Sequence, residues 1–432
     1  MRSSLPKPLH KVAGVALVGH AVRIMRAAGV DNINVVVSSE LADSDELRET
    51  LLPRVRVSVQ QEQLGTADAL AAARSAVEDA DTIVVAPADM ILVTDRIVRE
   101  MIKVHTESQS LATVLGAMVD DASGLGRIEL NSSGRPSAIF EEHEASTELL
   151  NSKLINTAWY CFDNRWVWSA LSSVQPADTG EVYLPRIIAI AATVDSAQLI
   201  ISDDNETHLG VNDRVQLARV EAVVRQRTNE AHMRNGVTIH DPAVTYIDID
   251  VEIGADTTIG QSTHIGTRSV IGSNVVIGPN TQIFSSRIGD RAIIDGARVI
   301  DSVVGAGVSV GTNSLIRDGS ELMQGSRIGN LAEIKNSVIG SGSRVSHFSY
   351  VGDATLGRNV NIGAGTITCN YDGVDKHPTI IEDDALIGSS TMLIAPVTIG
   401  KAARTGAGSV VRTDVAAGDT VAGVPAKSIK SK

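Results

Sequence analysis

The sequence is poor in aromatic residues, in cysteine and in positive charge. Phe, Trp and Tyr make up 3% of its 432 residues, too few for the platforms on which nucleic-acid bases stack. Asp and Glu outnumber Lys and Arg by 51 to 38, a formal charge of −13, the opposite of the basic face that a nucleic-acid binder presents. The two cysteines, Cys161 and Cys369, make neither a disulfide framework nor a metal-ligand spacing, and a reducing cytoplasm is the simplest setting for them. No apolar run approaches the ~18–20 residues of a membrane span. Val12–Val18 follows Arg2, Lys7 and Lys11 as a signal peptide would, but Gly14, Gly19 and His20 interrupt it, and it reads as a helix entering a domain. Neither nucleic acid nor membrane is expected as a partner. Apolar residues at 43% suffice for a core and exclude wholesale disorder.

The length predicts two or three domains, and glycine marks a boundary between two halves. Residues 1–250 hold 11 of the 37 glycines and residues 251–432 the other 26. In the first half short β-branched runs (Asn32–Ser38, Arg54–Val59, Thr82–Val85) alternate with helical stretches (Leu64–Val77, Thr94–His105), the pattern of βαβ units and a mainly parallel sheet. Val211–Asn229 reads as a long charged helix with apolar positions at Val215, Ala218, Ala222 and Val223. The expected division is a domain over 1–210, a linker helix over 211–235 and a second domain over 236–432.

The second half repeats every six residues. Ile247, Ile253, Ile259, Ile265, Ile271, Ile277 and Ile283 are evenly spaced, and five of them are followed directly by Gly. The phase resumes at Val304, Val310, Ile316, Leu322, Ile328 and Ile334, and again at Ile381, Ile387, Leu393, Ile399, Thr405 and Val411. A period of six fits neither a helix nor a plain strand. It is the signature of a parallel β-helix, whose coils stack one inward aliphatic per short strand. Gly, Asn and Asp supply the turns. The pattern fails over Cys369–Thr379, CNYDGVDKHPT, which a solenoid would extrude as a loop, and such loops often bind.

Five strings occur in one order: Leu5-Pro6-Lys7, Gln60–Thr66 (QQEQLGT), Ile155-Asn156-Thr157, Gly210–Ala218 (GVNDRVQLA) and Gly363–Gly373 (GAGTITCNYDG), the last within the more specific Val360–Gly373 (VNIGAGTITCNYDG). Together they resemble the bifunctional N-acetylglucosamine-1-phosphate uridylyltransferase/glucosamine-1-phosphate acetyltransferase family, the GlmU family, over nearly the whole chain. The resemblance implies an α/β nucleotidyltransferase-like (Rossmann-like) domain followed by a left-handed parallel β-helix of hexapeptide repeats, assembled as a homotrimer. It implies acetyl transfer from acetyl-CoA to glucosamine-1-phosphate in the β-helix. It also implies uridylyl transfer from UTP to the acetylated product, giving the UDP-N-acetylglucosamine used in cell-wall synthesis.

The acetyl transfer needs a proton taken from the sugar ammonium, and His suits a base working near neutral pH. His347, within RVSHFSYVGD, stands where the family places its base. By the same resemblance Arg317 and Lys335 hold the sugar phosphate, a task that suits cations on a rigid surface, with Tyr350, Asn361 and Asn370 as further sugar-phosphate contacts. Ala364, Tyr371, Lys376, Ser389 and Ala407 fall to acetyl-CoA. In the first half Lys7, Gln60, Gly65 and Thr66 match the UTP site, and Gly126, Glu141, Asn156 and Thr157 match the N-acetylglucosamine site. Asp89 and Asn212 match the pair that holds Mg²⁺, the metal that neutralises phosphate charge in such reactions.

The sequence departs from the family at several places. The glycine-rich segment of approximate form Leu-Ala-Ala-Gly-x-Gly-Thr-Arg-Met is not present, and Met1 falls where its methionine would be. A coding start placed too late and a uridylyl domain that has lost its activity both fit, and either way the chain as written is expected to acetylate with little or no UDP-sugar formation. Ala88 and Leu125 stand where Gly and Tyr are usual, Arg186 where Asp is common, and Gly423 where some relatives carry an arginine. The competing expectation is a regulatory or assembly subunit of the same architecture, which would need neither His347 nor the Asn370–Lys376 loop.

Overall fold

The computed structural model describes residues 1–51, 54–177 and 180–429, so the last three residues of the expected second domain lie outside it. The chain forms two compact units, Met1–Val224 and Arg225–Lys432. Among the described residues no helix is long and apolar enough to cross a membrane.

In the first unit the β-branched run INVVVS forms strand β1 (Ile33–Ser38), which pairs in parallel with β2 (Val55–Gln60). A separate six-stranded sheet holds β3 (Thr82–Val85), β4 (Ala112–Met118), β5 (Arg127–Leu130), β6 (Pro136–Phe140), β7 (Leu154–Asp163) and β8 (Ala197–Ser202). The expectation of a mainly parallel sheet is corrected here. Only β4 and β8 run parallel within the six, while β7 is antiparallel to β3, β4 and β5. The reason is local. A parallel neighbour needs a crossover of a dozen or more residues, whereas β5 and β6 are joined by the short turn 131–135 and pair as a hairpin. The ten-residue β7 organises this core with buried Trp159, Tyr160 and Phe162. Val12–Val18 also differs from expectation. Lys11–Val12 and Val15–Ala16 form a small hairpin around Gly14, and the helix begins only at Leu17. The expected long helix spans Arg214–Arg234, with Val220 and Val224 buried and Val215 62% exposed.

The second unit winds into three flat faces, consistent with the left-handed β-helix. Face one has twelve strands beginning at Thr238–Ile239, face two has ten beginning at Tyr246–Ile247, and face three has nine beginning at Glu252–Ile253. Among the described residues, the strand pairings within the three faces are parallel apart from the final one on face one. The period-six aliphatics become the columns of the core, as in the face-one run Ile259, Ile277, Ile294, Val310, Ile328, Val345, Ile362, Ile387. The glycine after each aliphatic answers to crowding. A Cβ added to Gly260 would meet the Pro279 nitrogen of the next coil at 2.7 Å. Left-handed backbone falls instead on corner residues such as Asn274 and Asn313, both at φ 58°. Two residues before many of the aliphatics stands a buried Ser or Thr, and several hand their hydroxyl to a Gly carbonyl, as Ser314 Oγ does to Gly329 O at 2.7 Å. This satisfies polar backbone that the columns enclose.

The columns set a stability prediction. Ile334 is fully buried, and Ile334→Ala removes its transfer energy and leaves a cavity between stacked neighbours. The expected cost is about 2–5 kcal/mol, read as a fall in the denaturant midpoint with an unchanged slope.

Candidate functional sites

Each coil passes from face one to face two around one corner, and on five consecutive coils that corner carries Asn330, His347, Ala364, Ser389 and Ala407. Each stands two residues after a face-one column residue, and those column residues stack in register from Ile328 to Ile387. A backbone ladder fixes the stacking. Phe348 N donates to Asn330 O at 3.3 Å, Gly365 N to His347 O at 2.9 Å, Ser390 N to Ala364 O at 2.7 Å and Gly408 N to Ser389 O at 2.8 Å. Four residues that the sequence offered separately therefore share one edge of the β-helix. The signal was present: each follows the same aliphatic-Gly, aliphatic-Ser or Thr-Gly pair by one position. Phe348, beside His347, was missed. It is 67% exposed at φ +58°, a backbone region that bulky side chains rarely adopt.

Face two borders that corner and carries the cations. Arg317 and Lys335 are register partners on adjacent strands. The Arg317 guanidinium is held by Glu333, Nε to Oε1 at 2.9 Å, and by Asp318, Nη1 to Oδ2 at 2.6 Å. Burial acts to lower its pKa, but the two carboxylates prevail and raise it. Lys335 Nζ stands 3.8 Å from Asp353 Oδ2. Asp353 also accepts from Asn336 Nδ2 at 2.6 Å and from Asn370 Nδ2, and the Asn370 amide lies 3.5 Å from the Tyr350 hydroxyl. Arg317, Lys335, Tyr350 and Asn370 thus belong to one cluster, with Glu333 and Asp353 as counter-charges that sequence reasoning did not name. Asn361 lies across the corner on face one, in register with Arg344 and Leu386.

The interrupted repeat is a built loop. Tyr371 bridges to Lys376, and the Tyr371 hydroxyl donates to Gly373 O at 2.6 Å. Asp372 Oδ1 accepts the Val374 and Asp375 amides at 2.8 Å each, and its Oδ2 pairs with His377 Nε2 at 2.7 Å. The bond from His377, then the two amides, hold the Asp372 carboxyl well below its usual range. Lys376 projects charge back onto Asp353.

In the first unit Lys7, Asp89 and Asn212 converge. Lys7 Nζ donates to an Asp89 carboxylate oxygen and, at 2.7 Å, to Asn212 Oδ1. Gln60 Nε2 binds Gly65 O at 3.1 Å and Asp68 Oδ2 at 2.8 Å. Gly65 is at φ +113°, and a Cβ there would stand 2.6 Å from Val182 O, so no other residue fits that turn. Thr66 Oγ1 accepts the Leu184 amide at 2.9 Å. Gly126, Glu141 and Asn156 are neighbours. Asn156 N donates to Gly126 O at 2.9 Å, and a Cβ on Gly126 would stand 3.7 Å from Glu141 Oε2. Burial, helped by Glu144, pushes the Glu141 carboxyl up. Thr157 is fully buried, its hydroxyl bound to Leu115 O at 2.7 Å, and so faces the core rather than a cleft. Arg186 is tied to Glu144 at 2.6 Å. Thr66, Glu141 and Asn156 open on a largely apolar cavity of about 770 Å³ that extends between β1 and β3.

Among the described residues no group of three His, Cys, Asp or Glu side chains converges as a metal cage. Asp89 and Asn212 nonetheless aim oxygen atoms at one point, where the Lys7 ammonium sits. Oxygen donors holding a cation at a shared point fit Mg²⁺, which binds through one or two protein oxygens and keeps its remaining places for water and phosphate.

Comparison with known proteins accounts for both units. A nucleotidyl transferase family model matches residues 2–205. A bacterial transferase hexapeptide model matches 250–285, a GlmU-like C-terminal hexapeptide model 273–355, and a succinyl-transferase hexapeptide model 378–412. The bifunctional protein GlmU of Syntrophomonas wolfei is 41% identical over 96% of this chain and 92% of its own length. That of Exiguobacterium sibiricum is 43% identical over 96% and 92%, and that of Heliobacterium modesticaldum 42% over 97% and 91%.

The face-two cluster sets a pH prediction. Burial raises the Asp353 pKa, but bonds from Asn336 and Asn370 and the charges of Lys335 and Lys376 outweigh it and hold the carboxyl below its ordinary 3.8. A depressed folded value stabilises the fold above the unfolded value and is lost as pH falls through the folded one. Asp353→Asn should therefore flatten the acid limb of stability below about pH 4, measured as the urea midpoint against pH.

Proposed function

The chain belongs to the GlmU family of bifunctional proteins, glucosamine-1-phosphate acetyltransferases and N-acetylglucosamine-1-phosphate uridylyltransferases in one, and we propose how its two units divide that work. The observation that carries the reading is the corner column of His347, Ala364, Ser389 and Ala407 beside the Arg317–Lys335 cluster. The corner and the face it borders then offer an imidazole, a strip of small residues along which an extended thioester can lie, and two cations for a sugar phosphate. In this reading Arg317, Lys335, Tyr350, Asn361 and Asn370 bind glucosamine-1-phosphate. Ala364, Ser389 and Ala407 line the acetyl-CoA path, with Tyr371 and Lys376 reaching it from the loop, and His347 is the catalytic side chain. No non-catalytic role is needed to account for these groups.

In the first unit Gln60, Gly65 and Thr66 receive the UTP base, while Gly126, Glu141 and Asn156 receive the N-acetylglucosamine. Thr157 contributes by fixing β7 behind Asn156. Lys7 meets phosphate. Asp89 and Asn212 would hold Mg²⁺, which supplies positive charge against the triphosphate when bound. The reading places the protein in the cytoplasm. It also makes the protein a homotrimer, supported by outward apolar rungs such as Val276 and Ile293, register partners that are 47% and 48% exposed.

Both half-reactions are tested separately. Thiol release from acetyl-CoA should depend on glucosamine-1-phosphate, and His347→Ala should slow it by a factor of roughly 10²–10⁴ while the fold survives. Near-normal turnover would remove His347 from the mechanism. Against the expectation drawn from the missing glycine-rich segment, the match of bifunctional relatives through the first unit supports uridylyl transfer as well, so pyrophosphate release from UTP with N-acetylglucosamine-1-phosphate should need Mg²⁺ and fall at least about tenfold with Asp89→Ala. Acetyl transfer alone would confine the uridylyl reading to the relatives. Light scattering should give three chains per particle, and a monomer at micromolar concentration would count against the assembly.

A further inference from the structure

Arg186 follows Tyr183, Leu184 and Pro185, which line the cavity of the first unit. It ends the short turn Leu184–Arg186, from which the helix Ile187–Ala192 continues. Its guanidinium is engaged three ways. Nη2 donates to Glu144 Oε1 at 2.6 Å, Nη1 donates to Gln175 O at 2.9 Å, and the planar group stands 5.6 Å from the centre of the Tyr183 ring. The side chains of Arg186 and Glu144 are 31% and 25% exposed, so solvent screens this pair less than it would a surface pair. Each end of the pair is stitched to a stretch already assigned to the uridylyl site. Glu144 N and Ala145 N donate to Glu141 O at 2.9 and 3.0 Å, so the turn that carries Glu144 carries Glu141 with it. On the other side Val182 N donates to Leu64 O at 2.8 Å, Ala67 N to Val182 O at 3.0 Å and Leu184 N to Thr66 Oγ1 at 2.9 Å. The segment leading to Arg186 is therefore bonded to the stretch that holds Gly65 and Thr66.

We infer that Arg186 and Glu144 form a positioning clasp, which holds the turn bearing Glu141 against the Gly65–Thr66 stretch and so sets the spacing between the sugar and base halves of the uridylyl site. The inference rests on the reading of Glu141 as a sugar contact and of Gly65 and Thr66 as base contacts. Neither clasp residue touches substrate; each acts through a neighbour. The clasp belongs to this combination of residues and not to the fold alone. Arg186 stands where Asp is common in the family, and an aspartate there would meet Glu144 with like charge. The pair also shelters its neighbour. Burial and then the Glu144 charge push the Glu141 carboxyl up, with His143 acting the other way. A Glu144 deprived of Arg186 would press harder on Glu141 and would be free to leave the turn's present place. The fork of the guanidinium suits this task, because one planar group reaches a carboxylate and a carbonyl at once.

Two readouts on the full chain test the clasp. Pyrophosphate release is followed against N-acetylglucosamine-1-phosphate at saturating UTP and Mg²⁺. Arg186→Met should raise the KM for the sugar phosphate at least about fivefold, the lower end of ordinary coupling between sites, and should lower kcat by a smaller factor, the pattern of lost ground-state binding. Arg186→Glu should raise KM further, and adding Glu144→Arg to it should bring KM back toward that of the unaltered protein. A swapped pair that recovers nothing overturns the pairing. The second readout is amide hydrogen exchange on the ligand-free protein, which needs no reaction. In Arg186→Met the Glu144 and Ala145 amides should exchange faster, while the amides of the β-helix columns should not change. Unchanged exchange in that turn overturns the clasp, and faster exchange with an unaltered KM overturns its positioning role. If Arg186→Met does not fold, the swapped pair, which keeps both charges, decides by the same two readouts. An unaltered chain that releases no pyrophosphate defeats the uridylyl reading, and the exchange result then decides the clasp by itself.

Discussion

Coil-to-coil backbone pairing is the constraint on which the second unit depends. Each coil pairs with the next through one to three residues per face, and the approach is so close that a single Cβ in the wrong place would collide with the neighbouring backbone. Register is then fixed by both the ladder and the buried aliphatic column, because a slip of one residue would turn every inward side chain outward. What projects from the surface is fixed with equal force. The candidate acetyl-transfer site is a set of positions on this lattice and inherits its rigidity from the core, which is the arrangement expected where reacting groups must be held closely.

Much of this was legible in the sequence. The six-residue spacing of Ile247 through Ile283 foretold both the architecture and the columns, and the failure of the pattern after Thr368 foretold the loop. The strand Thr82–Val85 was legible to the residue. The mixed sheet was not, because short apolar runs such as Ala112–Met118 carry no mark of direction, and direction is decided by connections that pair far-separated residues. The long helix was legible in its existence but not in its bounds or its facing: expected over Val211–Asn229, it runs Arg214–Arg234. Val215 was expected to be apolar contact and is exposed, whereas Val220 and Val224 carry the burial.

The candidate sites were legible in a different way. Resemblance supplied the residues one at a time, and physical reasoning supplied the chemistry of each type. Neither supplied the grouping. That His347, Ala364, Ser389 and Ala407 share one edge follows from counting in coils, and the insertion at Cys369–Thr379 hides the count by lengthening one of them. Thr157 shows the opposite outcome. Its neighbour Asn156 opens on the cavity while its own hydroxyl is spent on Leu115, because adjacent residues of a strand face opposite ways.

The counter-charges around Arg317 and Lys335 have a further consequence. Two cations stand among three carboxylates, Asp318, Glu333 and Asp353, so the resting cluster is an almost self-compensated knot and not an open positive well. On the reading proposed for this site, an incoming phosphate enters by exchange, displacing a carboxylate from a guanidinium already in use. Such a cluster answers to a group with the charge and oxygen geometry to outbid the two carboxylates that Arg317 already holds. On that reading, selectivity for a doubly charged ligand is set by the competitor built into the fold, before any contact with the sugar is made.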